Sequence, residues 1–161
     1  MSTKMLYLLR HAQAVTDPSR YADHDRPLHP SGEAHALRIG QWLIRQGAGP
    51  QRVLVSSAAR TQATAALVLA GAGQGRAQSF TDARLYASSP STILEIIRQT
   101  PPSIDALMVV GHNPEISSLA RQFSQDMGEL PTGGMVTVEL STDDWADVSE
   151  AGVISARLHL I

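Results

Sequence analysis

The 161-residue chain contains no cysteine, which removes disulfides, thiolate nucleophiles and zinc–thiolate centres together. It also lacks a basic excess. A single Lys and 12 Arg stand against 9 Asp and 6 Glu, giving a net charge of -2 and a pI near 6.3, whereas a general nucleic-acid binder needs surplus positive charge. Long apolar runs are missing as well. The N-terminal run ends at Arg10-His11 after five residues, Met5–Leu9, too short for a signal-peptide core, and no window approaches the ~20 apolar residues of a membrane span. No segment repeats. With 43% hydrophobic residues the chain can build an interior, and its length suits one domain, since domains run about 100–200 residues. The expectation is one soluble, cytoplasmic domain over 1–161.

Apolar β-prone runs occur at Met5–Leu9, Val53–Val55, Leu107–Val110, Met135–Leu140 and Val153–Ile161. The first three are short and continuous, as strands buried on both faces of a sheet are. The last two alternate, as half-buried or edge strands do. Helical stretches lie between them at Ser31–Gln46, Ala59–Ala70, Pro90–Gln99 and Pro114–Phe123. The first carries apolar residues at Ala36, Ile39 and Leu43 and at Leu37, Gly40 and Ile44. The last follows Asn113, a good cap, with proline at the first helical position. Alternating strands and helices predict βαβ units and a largely parallel, helix-covered sheet, with the C-terminal pair as an antiparallel ribbon at one edge. Gly71-Ala-Gly-Gln-Gly75 has the look of a nucleotide loop but follows a helix rather than a strand, which reads as a flexible turn.

Three strand ends carry the chemistry. Leu9 is followed by Arg10 and His11, Val55 by Ser56-Ser57-Ala58-Ala59-Arg60, and Val110 by Gly111-His112-Asn113. Ligands of open α/β sheets bind outside the carboxyl ends of strands. A lone histidine there is commonly a structural residue, and a lone arginine at a helix start is commonly a solvated face. Two of each together make an anion site, because guanidinium forks match phosphate oxygens and imidazole can attack or shuttle protons near neutral pH. His24 and His29 flank Asp25-Arg26-Pro27-Leu28 and read as structural or rim residues, with His29 at the cap of the first helix, while His35 in the helix and His159 in the last strand read as structural. The spacing of His24, His29 and His35 fits no helical metal-ligand pair. Trp42 and Trp145 read as packing anchors.

These segments resemble the histidine phosphatase (phosphoglycerate mutase-like) superfamily, and within it the short SixA-type phosphohistidine phosphatases. Arg10-His11-Ala12 resembles the family's signature turn. Asp25-Arg26-Pro27-Leu28 with Ser31-Gly32, Val53–Ser57 leading to Arg60-Thr61, Leu85-Tyr86, and Val110–Pro114 resemble its further motifs. The resemblance implies a three-layer α/β/α sandwich with a mostly parallel central sheet and an antiparallel edge strand. It implies His11 as nucleophile, Arg10 and Arg60 clamping phosphoryl oxygens, and His112 donating a hydrogen bond. Arg26 and Asn113 are implied as further substrate-binding residues. No metal or cofactor is implied.

One departure bears on the substrate. Many short members carry a Glu directly before the Leu-Tyr pair to protonate the leaving oxygen. Arg84 stands there instead, and the nearest carboxylate, Asp82, reads as a surface loop charge. A sugar alkoxide needs a proton in the transition state. Imidazole leaves as a weak base, with a reference pKa of about 6.5, so a dedicated acid is dispensable. The expected activity is removal of phosphate from phosphohistidine in a protein. The alternatives are a broad phosphomonoesterase on small phosphorylated metabolites and a non-catalytic phosphate-binding module. A mutase needs covering insertions for which the length leaves no room. Neither nucleic acid nor membrane is expected as a partner.

Overall fold

The computed structural model describes residues 2–73 and 78–161. Among these, six strands form one sheet: β1 (Thr3–Arg10), β2 (Arg52–Val55), β3 (Gln78–Thr81), β4 (Ala106–Gly111), β5 (Met135–Ser141) and β6 (Val153–His159). Their order across the sheet is β3-β2-β4-β1-β5-β6. The first four run parallel, and β5 pairs antiparallel with both β1 and β6. The helices are α1 (Pro30–Arg45), α2 (Ala59–Gly71), α3 (Pro90–Arg98) and α4 (Glu115–Phe123).

The alternation of β1 sorts the core into two layers, because successive strand side chains point to opposite faces. Leu6 and Leu8 pack with Ile93, Ile96 and Ile97 of α3, Ile116 and Leu119 of α4, and the fully buried Trp145. Tyr7 and Leu9 pack with Ile39 and Leu43 of α1 and with Ala65 and Val68 of α2. The result is the expected α/β/α sandwich. Helices α1 and α2 touch backbone to backbone. A Cβ on Gly40 would lie 2.1 Å from the Val68 carbonyl oxygen, and one on Gly71 would lie 2.4 Å from that of Leu37. Glycine is therefore the residue that permits this crossing.

Several expectations need correction. Strand β3 carried no apolar signal: all four of its residues are exposed, and main-chain pairing with β2 holds it at the edge. The Leu37 and Ile44 stripe of α1 faces outward, with Ile44 54% exposed, while Gly32, Ala36, Ile39, Gly40 and Leu43 form the buried face. The final strand stops at His159 rather than Ile161. Asn113 does not cap the last helix. Pro114 occupies the cap position of α4 without a side-chain bond, because the Asn113 amide is engaged elsewhere, as described below. Gln74 and Gly75 of the expected flexible turn lie outside the described residues.

Other readings hold. His29 caps α1, its Nδ1 accepting the Ser31 N–H at 3.1 Å, and Pro30 opens the helix. Trp145 donates its indole N–H to the Ile104 carbonyl at 2.6 Å. Trp42 packs its ring against His159, centroids 4.8 Å apart, and His159 Nε2 lies 2.8 Å from the Thr137 hydroxyl.

Candidate active site

Register dictates what leaves the sheet together. Arg10 of β1 pairs with Gly111 of β4, so the next residues, His11 and His112, emerge side by side with ring centroids 5.4 Å apart. Val55 of β2 pairs with Val110 of β4, which places Ser56 against His112, with Oγ 2.8 Å from Nε2. The end of β1 is fixed from the other side. The N–H of Gly133, at φ 72°, reaches the carbonyls of Arg10 and His11. A Cβ on Gly133 would lie 2.3 Å from the His35 ring. Thr64 of α2 accepts the Ala12 N–H at 3.0 Å and donates to the Arg60 carbonyl, locking Arg60 to the same strand end.

A cavity of about 340 Å³ opens there, lined by Arg10, His11, Asp23, Arg26, Arg60, Tyr86, His112, Asn113 and Glu115 among others. All six positions expected from the sequence line it. The structure adds Asp23, Tyr86 and Glu115 to the lining and Ser56 behind it.

His11 is 7% exposed, and its Nδ1 lies 2.7 Å from the Ala12 carbonyl oxygen. A carbonyl only accepts, so Nδ1 carries the proton and Nε2 keeps its lone pair. Burial, assisted by the charges of Arg60, Arg10 and Arg26, pushes the ring's pKa down to about 4. The ring is therefore neutral and nucleophilic at physiological pH. His112 is driven lower, to about 3, first by burial and then by Arg60 and His11. Ser56 Oγ accepts the Ala58 N–H at 3.5 Å, so its own proton is free for Nε2 of His112. That arrangement leaves the buried, unpartnered Nδ1 of His112 as an N–H donor.

The arginines are held by their terminal groups. Arg10 donates Nη1 to the Leu130 carbonyl at 3.0 Å, and Arg60 donates to the Asp23 carbonyl and carboxylate at 2.7 and 3.2 Å. Nε of both is buried without a partner. Arg26 donates Nε to Asp23 at 3.2 Å and Nη1 to the Val15 carbonyl. Asp23 is thus the hub. It also accepts the Tyr86 hydroxyl at 2.5 Å, and this bond, followed by Arg60, lowers its pKa to about 2. His24 braces the loop, with Nε2 2.9 Å from the Ser57 hydroxyl and its ring edge-on to Tyr86. The sequence offers His24 as a structural or rim residue flanking Asp25–Leu28. Its bracing follows from the path of the 12–29 loop, tied back by the Ala14–Leu28 bridge.

Asn113 lines the cavity, but its amide is turned inward. Nδ2 donates to the Leu130 carbonyl at 2.8 Å and to Glu129, and Oδ1 accepts the Ser117 hydroxyl. Asp82 lies outside the cavity, capping the one-turn helix Ala83–Leu85 and paired with Arg84 at 2.7 Å. Among the described residues, no three His, Cys, Asp or Glu side chains group as a metal site. No described helix is long and apolar enough to cross a membrane.

Fold and cavity define an α/β protein with an anion pocket, built from arginines and two neutral imidazoles, at the carboxyl ends of its central strands. Residues 6–86 match the family profile of the histidine phosphatase superfamily, branch 1. The chain is 33% identical over 163 residues to an uncharacterized protein of Mycobacterium tuberculosis (strain CDC 1551 / Oshkosh), covering 94% of this chain and 99% of that one. It superposes with TM-score 0.79 and 29% identity on a structure from Nakamurella multipartitia provisionally named phosphohistidine phosphatase SixA, over 99% of this chain and 95% of that one. A similarly named structure from Agrobacterium tumefaciens gives TM-score 0.74 and 26% identity, over 84% and 91%. The chain belongs to the histidine phosphatase superfamily and is of the SixA type, with the phosphoglycerate mutase-like fold. It is a phosphatase.

Proposed function

We propose that the protein removes the phosphoryl group from phosphohistidine in a protein, by way of a covalent phosphohistidine on His11. Nε2 of His11 attacks phosphorus while its Nδ1–H stays on the Ala12 carbonyl, so the ring can accept the bond and later release it without a proton transfer. Arg10, Arg26 and Arg60 offset the charge on the phosphoryl oxygens, and Nδ1–H of His112 adds a donor that costs no reorganisation. A substrate anion competes with Asp23 for Arg60 and Arg26. Water then hydrolyses the intermediate. Asn113 contributes by holding the Leu130 loop on which Arg10 rests.

The observation that carries the substrate class is the state of Asp82, nearest the position where an acid is expected, and of Asp23, beside the arginines. Asp82 is spent on Arg84 away from the cavity. Asp23 lines the cavity but is kept ionised by Tyr86 and Arg60, so it has no proton to give an alkoxide. This supports a leaving group that departs as a weak base. The test is turnover of a phosphohistidine peptide beside a panel of sugar phosphates. Faster turnover of the peptide is expected. Equal or faster hydrolysis of sugar phosphates contradicts the reading and favours a broad phosphomonoesterase.

A further inference from the structure

One carboxyl in the cavity is neither tied up nor explained. Glu115 stands in the first turn of α4 and lines the cavity with His11 and the three arginines. Among the described residues it makes no ion pair with any of them. The single hydrogen bond found for its carboxyl is with its own backbone N–H. Burial raises its pKa, the opposite of what Tyr86 and Arg60 do to Asp23. An unpaired carboxylate in an anion pocket opposes binding of a phosphate dianion, unless the substrate brings a donor to meet it.

The chemistry of the proposed reaction supplies that donor. An imidazole leaves phosphorus as a weak base only if its other ring nitrogen holds a proton. Without that proton the departing group is an imidazolate, a far stronger base. On the enzyme's own ring the requirement is met by the Ala12 carbonyl, which keeps Nδ1 of His11 protonated. The phosphoryl group moves between two imidazoles, so the substrate ring needs an equivalent acceptor.

The geometry points to Glu115 as that acceptor: a catalytic residue that takes a hydrogen bond from the distal ring N–H of phosphohistidine and selects this leaving group. This rests on the function proposed above. In the step, the P–N bond of the substrate breaks and its electron pair stays on the ring nitrogen. The distal nitrogen keeps its proton against Glu115, and the ring departs as neutral imidazole. The new bond forms from Nε2 of His11 to phosphorus, leaving a phosphoimidazolium whose Nδ1–H rests on Ala12. The charged groups facing Glu115 across the cavity are Arg10, Arg26, Arg60 and Asp23, with His11 and His112 neutral. The arginines have no acceptor, Asp23 already accepts from Arg26, Arg60 and Tyr86, Nε2 of His11 is the attacking atom, and Nε2 of His112 is engaged with Ser56.

The test compares wild type with Glu115→Gln and Glu115→Asp on a phosphohistidine peptide and on para-nitrophenyl phosphate, whose leaving group needs no proton. Glu115→Gln should lose about 10²-fold in kcat on the peptide, the lower end for removing a proton-handling group, with the deficit growing from pH 6 to pH 8. Glu115→Asp should recover part of it. On para-nitrophenyl phosphate, KM should fall, because an anion has left the pocket, and this also certifies that the variant is folded. An unchanged ratio between the two substrates, or an equal loss on both, overturns the assignment and leaves the phosphohistidine reading standing. A wild-type protein that hydrolyses para-nitrophenyl phosphate but not the peptide overturns both.

Discussion

Acidification from pH 7 to pH 5 should destabilise the fold by an amount set by the two active-site imidazoles. In the folded protein His11 titrates at about 4 and His112 at about 3, both lowered first by burial. In the unfolded chain each returns to about 6.5. The unfolded state therefore binds more protons, and stability is full above 6.5 and is lost as pH falls through the window from 6.5 toward 4. At pH 5 both rings are still neutral in the folded protein, while nearly every unfolded chain carries both protons. Integrated from pH 7, that costs about 2 kcal/mol per ring, or about 4 kcal/mol for the pair. Domains have only about 5–15 kcal/mol in hand, so acid sensitivity should set in near pH 5. His35 and His159 are also lowered by burial and add to the slope, so the comparison is with His11→Asn. Urea unfolding at pH 7 and pH 5 should show the variant losing about 2 kcal/mol less than wild type over that interval. Equal losses in the two proteins refute the argument that His11 is held neutral by its site.

Arg60→Ala should lower kcat on para-nitrophenyl phosphate by about 10²–10³-fold, the scale for one preorganised charge-stabilising donor; normal turnover would show that the pocket has been misread. Chelators should leave activity intact and vanadate or tungstate should inhibit, because side chains carry the charge compensation; strict dependence on a divalent cation in steady-state assays contradicts this. Gly40→Ala places a Cβ where the Val68 carbonyl stands at 2.1 Å and should destabilise by about 1–3 kcal/mol, visible as a lower midpoint in thermal unfolding, with the active-site residues untouched.

The central strands were legible because burial on both faces writes itself as an unbroken apolar run, as in Met5–Leu9 and Leu107–Val110. The same logic made β3 invisible, since Gln78–Thr81 buries nothing and its pairing is a main-chain property. In α1 the periodicity offers two adjoining stripes, and the structure splits the second: Gly40 turns inward against α2 while Leu37 and Ile44 stay exposed. His11, His112 and Arg60 could be placed because strand ends converge wherever the sheet is parallel. Asp23 and Glu115 could not, because neither stands at a strand end. Asp23 reaches Arg60 only through the path of the loop before α1, which brings it across 37 positions of sequence. Glu115 sits two residues beyond the expected cap, and sequence could not show that the Asn113 amide is taken up by Leu130 and Ser117 while Glu115 lines the cavity. Asp82 was read as a loop charge, and the structure ties it to Arg84 outside the cavity.

Trapping the phosphoenzyme tests the central claim most directly. Wild-type protein mixed with a phosphohistidine peptide and quenched in alkali should carry one phosphoryl group, stable in base, labile in acid, and located by peptide mapping on His11. His11→Ala should neither turn over nor label, while its fold persists by circular dichroism. A label on any other residue, an acid-stable label, or turnover by His11→Ala contradicts covalent catalysis by His11.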